Sequence, residues 1–408
     1  MPGLSTAVRN RVKQLVVEET PRATELRRQL HQHPEICYEE VRTSARIRAE
    51  LDSAGIAHID GLAGGTGTIA FLPGESRDAV GLRADIDGLP IVERTDCAWK
   101  STIEGRMHAC GHDGHTAILV GAARVLARLG KESPLPNAVR FLFQPAEEGG
   151  AGGKRMVEDG ALDARPEGPA LRRIYGLHNF PGLALGTLST RRGALFASSD
   201  RFEIAVHGQA SHAAWPHQSH DPIIAASAIV LALQAIVARE LDPLDAGVVS
   251  TTMLHAGTAT NQIGSEAMLQ GTARALLEST RTHIETRIAE IAADVARAHR
   301  CGTTTRYLRG YPVTSNDDES VTEFERIVER ELPGLRFETM QVPVMGGEDF
   351  AFYAERIPAC FYLLGVEDGR WSSASLHQPT FDFNDAAIPH GIEAMVTLAL
   401  ADGSGAAA

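Results

Sequence analysis

Apolar positions along the chain follow two different periods. Residues 7–31 and 39–54 repeat them at helical spacing, the first run interrupted at Pro21 and the second closed by Gly55. Short β-branched or apolar runs follow at 67–72, 79–83, 138–143 and 173–177, with a helical pattern at 113–129 between two of them. This alternation predicts an α/β fold whose sheet is largely parallel, with helices on its faces.

The texture changes after Gly186. Residues 200–208 alternate as a half-buried strand, and 221–240 read as a long apolar helix. Two strands follow at 247–256 and 267–277, then a helix at 279–299 and a strand at 303–308. That β-α-β-β-α-β order predicts a ferredoxin-like α+β domain. Residues 309–402 return to α/β texture. The expected organisation is a discontinuous domain over 1–187 and 309–408, interrupted by a small domain over 188–308.

Open α/β sheets bind ligands beyond the carboxyl ends of their strands. Asp85 and Asp87 follow the run 79–83, Glu147 and Glu148 follow 138–143, and His178 follows 173–177. Three strands therefore each deliver a chemically capable side chain to one edge.

Composition narrows the picture. A length of 408 residues suits about two or three domains. A net charge of −13 argues against a nucleic-acid or anionic-membrane surface. No apolar run is read as approaching the roughly 18 residues of a membrane span, and residues 1–6 carry no signal-peptide pattern. The five cysteines are odd in number and scattered, so no disulfide framework is expected and a reducing cytoplasm is.

The chemistry concentrates in Met107-His108-Ala109-Cys110-Gly111-His112-Asp113-Gly114-His115. Gly111 lets the backbone bend so that Cys110 and His112 can face one centre. Thiolate and imidazole suit zinc and neighbouring divalent metals, and no second Cys/His pair follows at zinc-finger spacing. Cys110, His112, Glu148, His178 and His377 are the candidate metal ligands, enough for two metals that share ligation. Such pairs activate water and polarise a scissile oxygen. In Gln144-Pro145-Ala146-Glu147-Glu148, one carboxylate can bind metal while the other handles a proton; Glu148 is assigned the first role and Glu147 the second. An acidic helix start would explain the same pair. Asp87 reads as a carboxylate that orients a ligating histidine, or as part of a plain Asp-Gly turn. Asp113 is expected to cap the helix that follows, and His115 is left outside the ligand set.

Taken together, the motifs resemble the M20 metallopeptidases, in their amidohydrolase branch of hippurate hydrolases, N-acyl-amino-acid deacylases and auxin-conjugate hydrolases. The likeness runs through 83–91, 108–115, 144–150, 176–182, 207–222, 261–274, 346–352 and 376–385. It implies a zinc-peptidase-like catalytic domain with an inserted lid that forms a homodimer interface. It also implies a dinuclear site at Cys110, His112, Glu148, His178 and His377, with Glu147 as base. Cys110 stands where many relatives carry a bridging aspartate, which leaves the choice among manganese, zinc, nickel and cobalt open. In the lid stretch 207–217, His212 matches a residue that stabilises the oxyanion or holds the substrate carboxylate, from its own chain or its partner's. Asn261 and Arg274 match positions that contact the substrate's polar end, though Asn261 also suits a turn and Arg274 a surface position. Thr260 and Gly264 depart from the usual aromatic and proline, which bears on substrate preference.

The resemblance implies hydrolysis of N-acyl-L-amino acids, hippurate-like or N-acetylated, to a carboxylic acid and a free amino acid. The rivals are a carboxypeptidase or dipeptidase, an N-acetyl-diaminopimelate deacetylase, a metal-binding protein with a vestigial site, and a thiol enzyme using Cys110 with His112.

Overall fold

Strand Ala79–Asp85 is buried along its whole length because parallel neighbours flank it on both sides. Ala138–Gln144 pairs with one edge and Leu171–Ala184 with the other, and Ala359–Glu367 runs parallel beyond the latter. Strands covered on both faces carry near-continuous apolar runs, and these do. The structure is a computed structural model and describes residues 3–369 and 375–403. The ends of the expected catalytic domain, 1–2 and 404–408, lie outside the described residues.

The sheet is mixed: its three central pairings are parallel, as expected, and antiparallel pairings lie toward its edges. Its order is Ala57–Leu62, Gly67–Leu72, Ala138–Gln144, Ala79–Asp85, Leu171–Ala184, Ala359–Glu367, Thr187–Thr190 and Arg336–Thr339. Ala57–Leu62 and Gly67–Leu72 pair antiparallel, as do Gly67–Leu72 and Ala138–Gln144. The link between the first two is too short for a crossover, so only a hairpin can close it. Thr187–Thr190 runs antiparallel to Ala359–Glu367 and parallel to Arg336–Thr339.

Helices Thr6–His31, His112–Glu132 and Ile388–Ala401 pack on one another and bury Leu15, Leu26, Ile118, Leu126, Ile392 and Met395. Thr6–His31 continues through Pro21, where an interruption was expected. Pro21 faces solvent, so the carbonyl it leaves unpaired can be hydrated, and the preceding residue, Thr20, donates its hydroxyl one turn back to Val16 O at 2.7 Å. Gly55 closes Val41–Ala54 at φ 72°, a left-handed position that glycine adopts without strain.

The chain divides into two compact units. One comprises Met1–Gly193, Ser315–Gln341 and Asp349–Ala408, the other Ala194–Thr314 and Val342–Glu348. The smaller unit holds an antiparallel sheet in the order Gly247–Ala256, Glu266–Ala275, Ser199–His207, Gly302–Tyr311. Helices Pro222–Ala235 and Glu278–Ala298 share its core, burying Ile229, Leu233, Ile284 and Ile288 against Phe202 and Ile204. This is the ferredoxin-like arrangement. Asp221 caps the first helix by accepting from Ile223 N at 2.9 Å.

One expectation about this unit needs correcting. Pro222–Glu240 is long and apolar enough, by length and composition, to cross a membrane. The expectation that no apolar run approaches that length therefore does not hold for this helix. Only 33% of its most apolar window is buried.

Candidate metal centre

The site stands at the carboxyl edge of the central strands, where parallel register brings three of them level. Asp85 is paired with Gln144, and Arg83 with Gly176. Asp87 and the Glu147–Glu148 pair lie just beyond two of these strands. His178 lies within Leu171–Ala184 rather than after it, because that strand runs seven residues further than its apolar run.

Cys110 and His112 reach this edge through Gly111, which holds φ 89° and opens helix His112–Glu132. A side chain at position 111 would meet Asn179 Oδ1 at 2.2 Å, so glycine is required there for space as well as for angle. Asp113 does not cap the helix as expected. It lies in the first turn, and its carboxylate is 2.8 Å from both Arg27 Nε and His31 Nδ1.

All five expected ligands come together. The donor atoms of Cys110, His112 and His178 lie within 4.8 Å of one another, as do those of Cys110, Glu148 and His377, and those of His112, Glu147 and Glu148. Cys110 Sγ is 3.3 Å from His178 Nε2, and His377 Nε2 is 3.1 Å from Glu148 Oε1. His377 is held in the left-handed region at φ 64°, where its N–H donates to Ala109 O at 2.8 Å. Two donor groups sharing one thiol can hold two adjoining cations.

Asp87 stands where an orienting role would need it. Its Oδ1 is 3.0 Å from His112 Nδ1, and its Oδ2 accepts from Glu148 N at 2.9 Å. One carboxylate thus fixes an imidazole and the backbone of a neighbouring acid. His112 Nε2, the opposite ring nitrogen, is buried with no hydrogen-bond partner among the described residues, the nearest acid being Asp85 Oδ2 at 3.8 Å. A buried polar atom left unpaired costs about 1–3 kcal/mol, so it marks a place built for something else to bind.

The electrostatics favour a cation. Burial works against a charged His112, yet Asp85, Asp87 and Glu148 raise its pKa to about 10. Burial, followed by Glu148, Glu147 and Asp85, pushes the Cys110 thiol well above its ordinary range. Only an added positive charge would favour the thiolate here. Burial, with His115 and His112, lowers the pKa of His178 and keeps it neutral, the form in which an imidazole can bind a metal. Burial opposes ionisation of Glu148, but His377 and His112 hold its carboxyl below the usual range.

His115, left outside the ligand set, and Asp85 support the site from behind, together with Asn179 and Arg83, to which the sequence assigned no role. His115 Nδ1 lies 2.6 Å from Asp85 Oδ1, and His115 Nε2 accepts from Asn179 N at 2.9 Å. Asn179 O in turn is 2.7 Å from His178 Nδ1. Arg83, fully buried, anchors Asp85 at 2.8 Å and Asp349 at 2.9 Å. The Asp85–His115–Asn179 chain thereby holds His178 by its far nitrogen. The signal available was position: Asp85 ends a strand, and His115 sits one helical turn after His112.

The remaining expected residues belong to the smaller unit. His212 lies on a two-residue ladder opposite Gln262, its Nδ1 accepting from Ala214 N at 3.1 Å and its ring 5.0 Å from that of Trp215. Asn261, next to that ladder, accepts at its carbonyl from Ala213 N at 3.0 Å, so His212 and Asn261 are brought to one exposed corner. Arg274 lies elsewhere, on Glu266–Ala275, where it is half-buried and donates to Ala273 O at 3.0 Å and to Thr272 Oγ1.

Comparison with known proteins bears on this site. The profile of "Peptidase family M20/M25/M40" matches residues 81–401. Among curated relatives, an IAA-amino acid hydrolase (ILR1-like 5) of Arabidopsis thaliana is 39% identical over 92% of this chain and 85% of its own. An N-acetyl-L-cysteine deacetylase of Bacillus subtilis is 38% identical over 89% of this chain and 84% of its own. Among solved structures, a dinuclear metal-binding peptidase of the M20 family from Bacillus subtilis superposes with a TM-score of 0.80 at 33% identity, covering 94% of this chain and 99% of that one.

Proposed function

The chain belongs to peptidase family M20/M25/M40, and from that premise we propose that it is a metal-dependent amidohydrolase of N-acyl-L-amino acids, releasing a carboxylic acid and a free amino acid. Hydrolysis of an amide is common ground among its relatives. The finer reading, hippurate-like or N-acetylated substrates, extends that to this chain. The observation that carries it is the pair of donor groups sharing Cys110, with His112 Nε2, which makes no hydrogen bond among the described residues, in one of them and Glu147 alongside.

Cys110, His112, Glu148, His178 and His377 would hold two divalent cations, manganese, zinc, nickel or cobalt. The donor set fits, since thiolate and imidazole suit these ions and the acidic surroundings welcome their charge. When bound, the pair supplies Lewis acidity and a water of lowered pKa. The proton work falls to Glu147, which is buried and shares one donor cluster with His112 and Glu148. It takes the proton from water as the acyl carbon is attacked, then gives it to the departing amine. Asp87 keeps His112 and Glu148 in register for this. His212 would donate to the oxyanion or hold the substrate carboxylate, and Asn261 and Arg274 would meet the substrate's polar end.

The smaller unit would act as lid and as homodimer surface. Helix Pro222–Ala235 turns Ile224 and Leu231 outward, 54% and 75% exposed, and edge strand Gly247–Ala256 exposes Met253 and Leu254 beside an unpaired ladder. A reducing cytoplasm suits the chain, since all five cysteines are free.

The test is a panel of N-acetyl, N-benzoyl and indole-acyl amino acids, offered to chelated protein with each of the four metals. The reading requires turnover of at least one class that vanishes on chelation and returns with metal. Cleavage of dipeptides alone would replace it with the peptidase alternative.

A further inference from the structure

Glu147 and Glu148 sit on a turn that no regular element supports. Residues 145–151 link strand Ala138–Gln144 to helix Gly152–Glu158. The turn is a strained one: Ala146 has φ 56°, Gly149 φ 90° and Ala151 φ 55°. Alanine has no side-chain hydrogen bond to offset a left-handed backbone, so the surroundings must impose it.

A short segment far earlier in the chain does so. The Glu40 carboxylate accepts from Ala146 N at 2.9 Å, at the start of the turn. Tyr38 donates its hydroxyl to Gly150 O at 2.6 Å, at the end. Both gripping groups are fixed in turn. Glu40 is fully buried and also accepts from Tyr38 N at 3.0 Å and from Thr66 Oγ1 at 2.9 Å. Tyr38 is itself left-handed at φ 65°, and the Arg155 guanidinium lies 4.2 Å over its ring. Cys37 closes the space behind, since a side chain at position 150 would meet its sulfur at 2.4 Å.

We infer that Tyr38 and Glu40 are positioning residues that grip the Glu147–Glu148 turn at its two ends and so set where the base and its neighbouring ligand stand. This rests on the roles proposed above for those two acids. Asp87 holds the middle of the same turn through Glu148 N, so three separate grips act on five consecutive residues. A displacement of about 1 Å at a catalytic group can cost roughly 10²-fold in rate, which makes such a hold consequential.

The variants separate positioning from packing. Tyr38→Phe removes one hydrogen bond and keeps the ring under Arg155. Glu40→Ala removes the other grip. Glu40→Gln can keep it, because the amide oxygen can still accept from Ala146 N while its nitrogen donates to Thr66.

Hydrogen exchange by mass spectrometry on the metal-free protein reads the turn directly. Amides in 145–152 should exchange about tenfold faster in Tyr38→Phe and Glu40→Ala, with Glu40→Gln close to wild type and the rest of the chain unmoved. On an N-acetyl amino acid, kcat should fall with KM unchanged, and Glu40→Gln should recover it. Unaltered exchange in 145–152 of Tyr38→Phe, or acceleration spread over the whole chain, would overturn the inference. Should Glu40→Ala fail to fold, Tyr38→Phe still decides. Faster exchange confined to the turn, in a protein that hydrolyses no acyl amino acid, would uphold the grip and defeat the functional reading instead.

Discussion

Cys110 Sγ lies 3.3 Å from His178 Nε2, across 68 residues of chain. The thiol is also common to the groups completed by His112 with His178 and by Glu148 with His377. Removing it should therefore disturb both cation positions. Cys110→Ala is expected to lower metal affinity by more than the roughly 10–100-fold lost when a supporting partner is removed. Titration calorimetry, with metal content by mass spectrometry, checks this.

Glu147 is given proton transfer alone. Glu147→Gln should retain its metals and lose about 10²–10⁴-fold in kcat. Near-normal turnover would remove Glu147 from the mechanism, and loss of metal would reassign it as a ligand.

Asp87 serves His112 with one oxygen and Glu148 N with the other. Asp87→Asn can satisfy only one of them, since its nitrogen would face either the Glu148 N–H or His112 Nδ1–H as donor against donor. A loss of about 10–100-fold in metal affinity follows, with the melting temperature of the metal-free protein much less affected.

These assignments were open to sequence reasoning because they rest on local facts. Apolar runs located the central strands, and the residues just past them supplied Asp87, Glu147 and Glu148. What stayed hidden depends on pairing across the chain. Nothing around Arg27 or His31 shows that both meet Asp113, since the helix that carries them has ordinary helical spacing. His178 was expected after its strand because the apolar run ends at 177, yet pairing with Ala359–Glu367 continues through Asn179 and Phe180 and resumes at Ala184 after a shift in register. The break at Pro21 failed because an exposed proline carbonyl gap can be hydrated.

The buried pair behind the site gives a pH dependence. Burial opposes a charged His31, as does Arg27, but Asp113 and Glu93 together overcome them and the pKa rises to about 9. A raised histidine favours the protonated folded state. Its contribution is therefore complete below the unfolded value near 6.5 and is lost as pH climbs through 9. The loss is on the order of 3 kcal/mol at most. Melting temperature of the metal-free protein followed from pH 6 to 10 should fall in wild type across that window, and His31→Gln should start lower and fall less steeply, keeping only the share that His112 contributes.

Oligomeric state tests the outward apolar face. Leu231→Asp should convert a dimer to monomer in sedimentation velocity without changing the fold by circular dichroism. A wild-type monomer would dismiss the homodimer.

The most direct measurement counts cations and turnover together on one preparation. Chelated protein is titrated with manganese, zinc, nickel or cobalt while hydrolysis of an N-acyl amino acid is followed. The account predicts no activity without metal, saturation at two ions per chain, and activity rising with occupancy. Full activity in the chelated protein, or no bound metal at saturation, would contradict it.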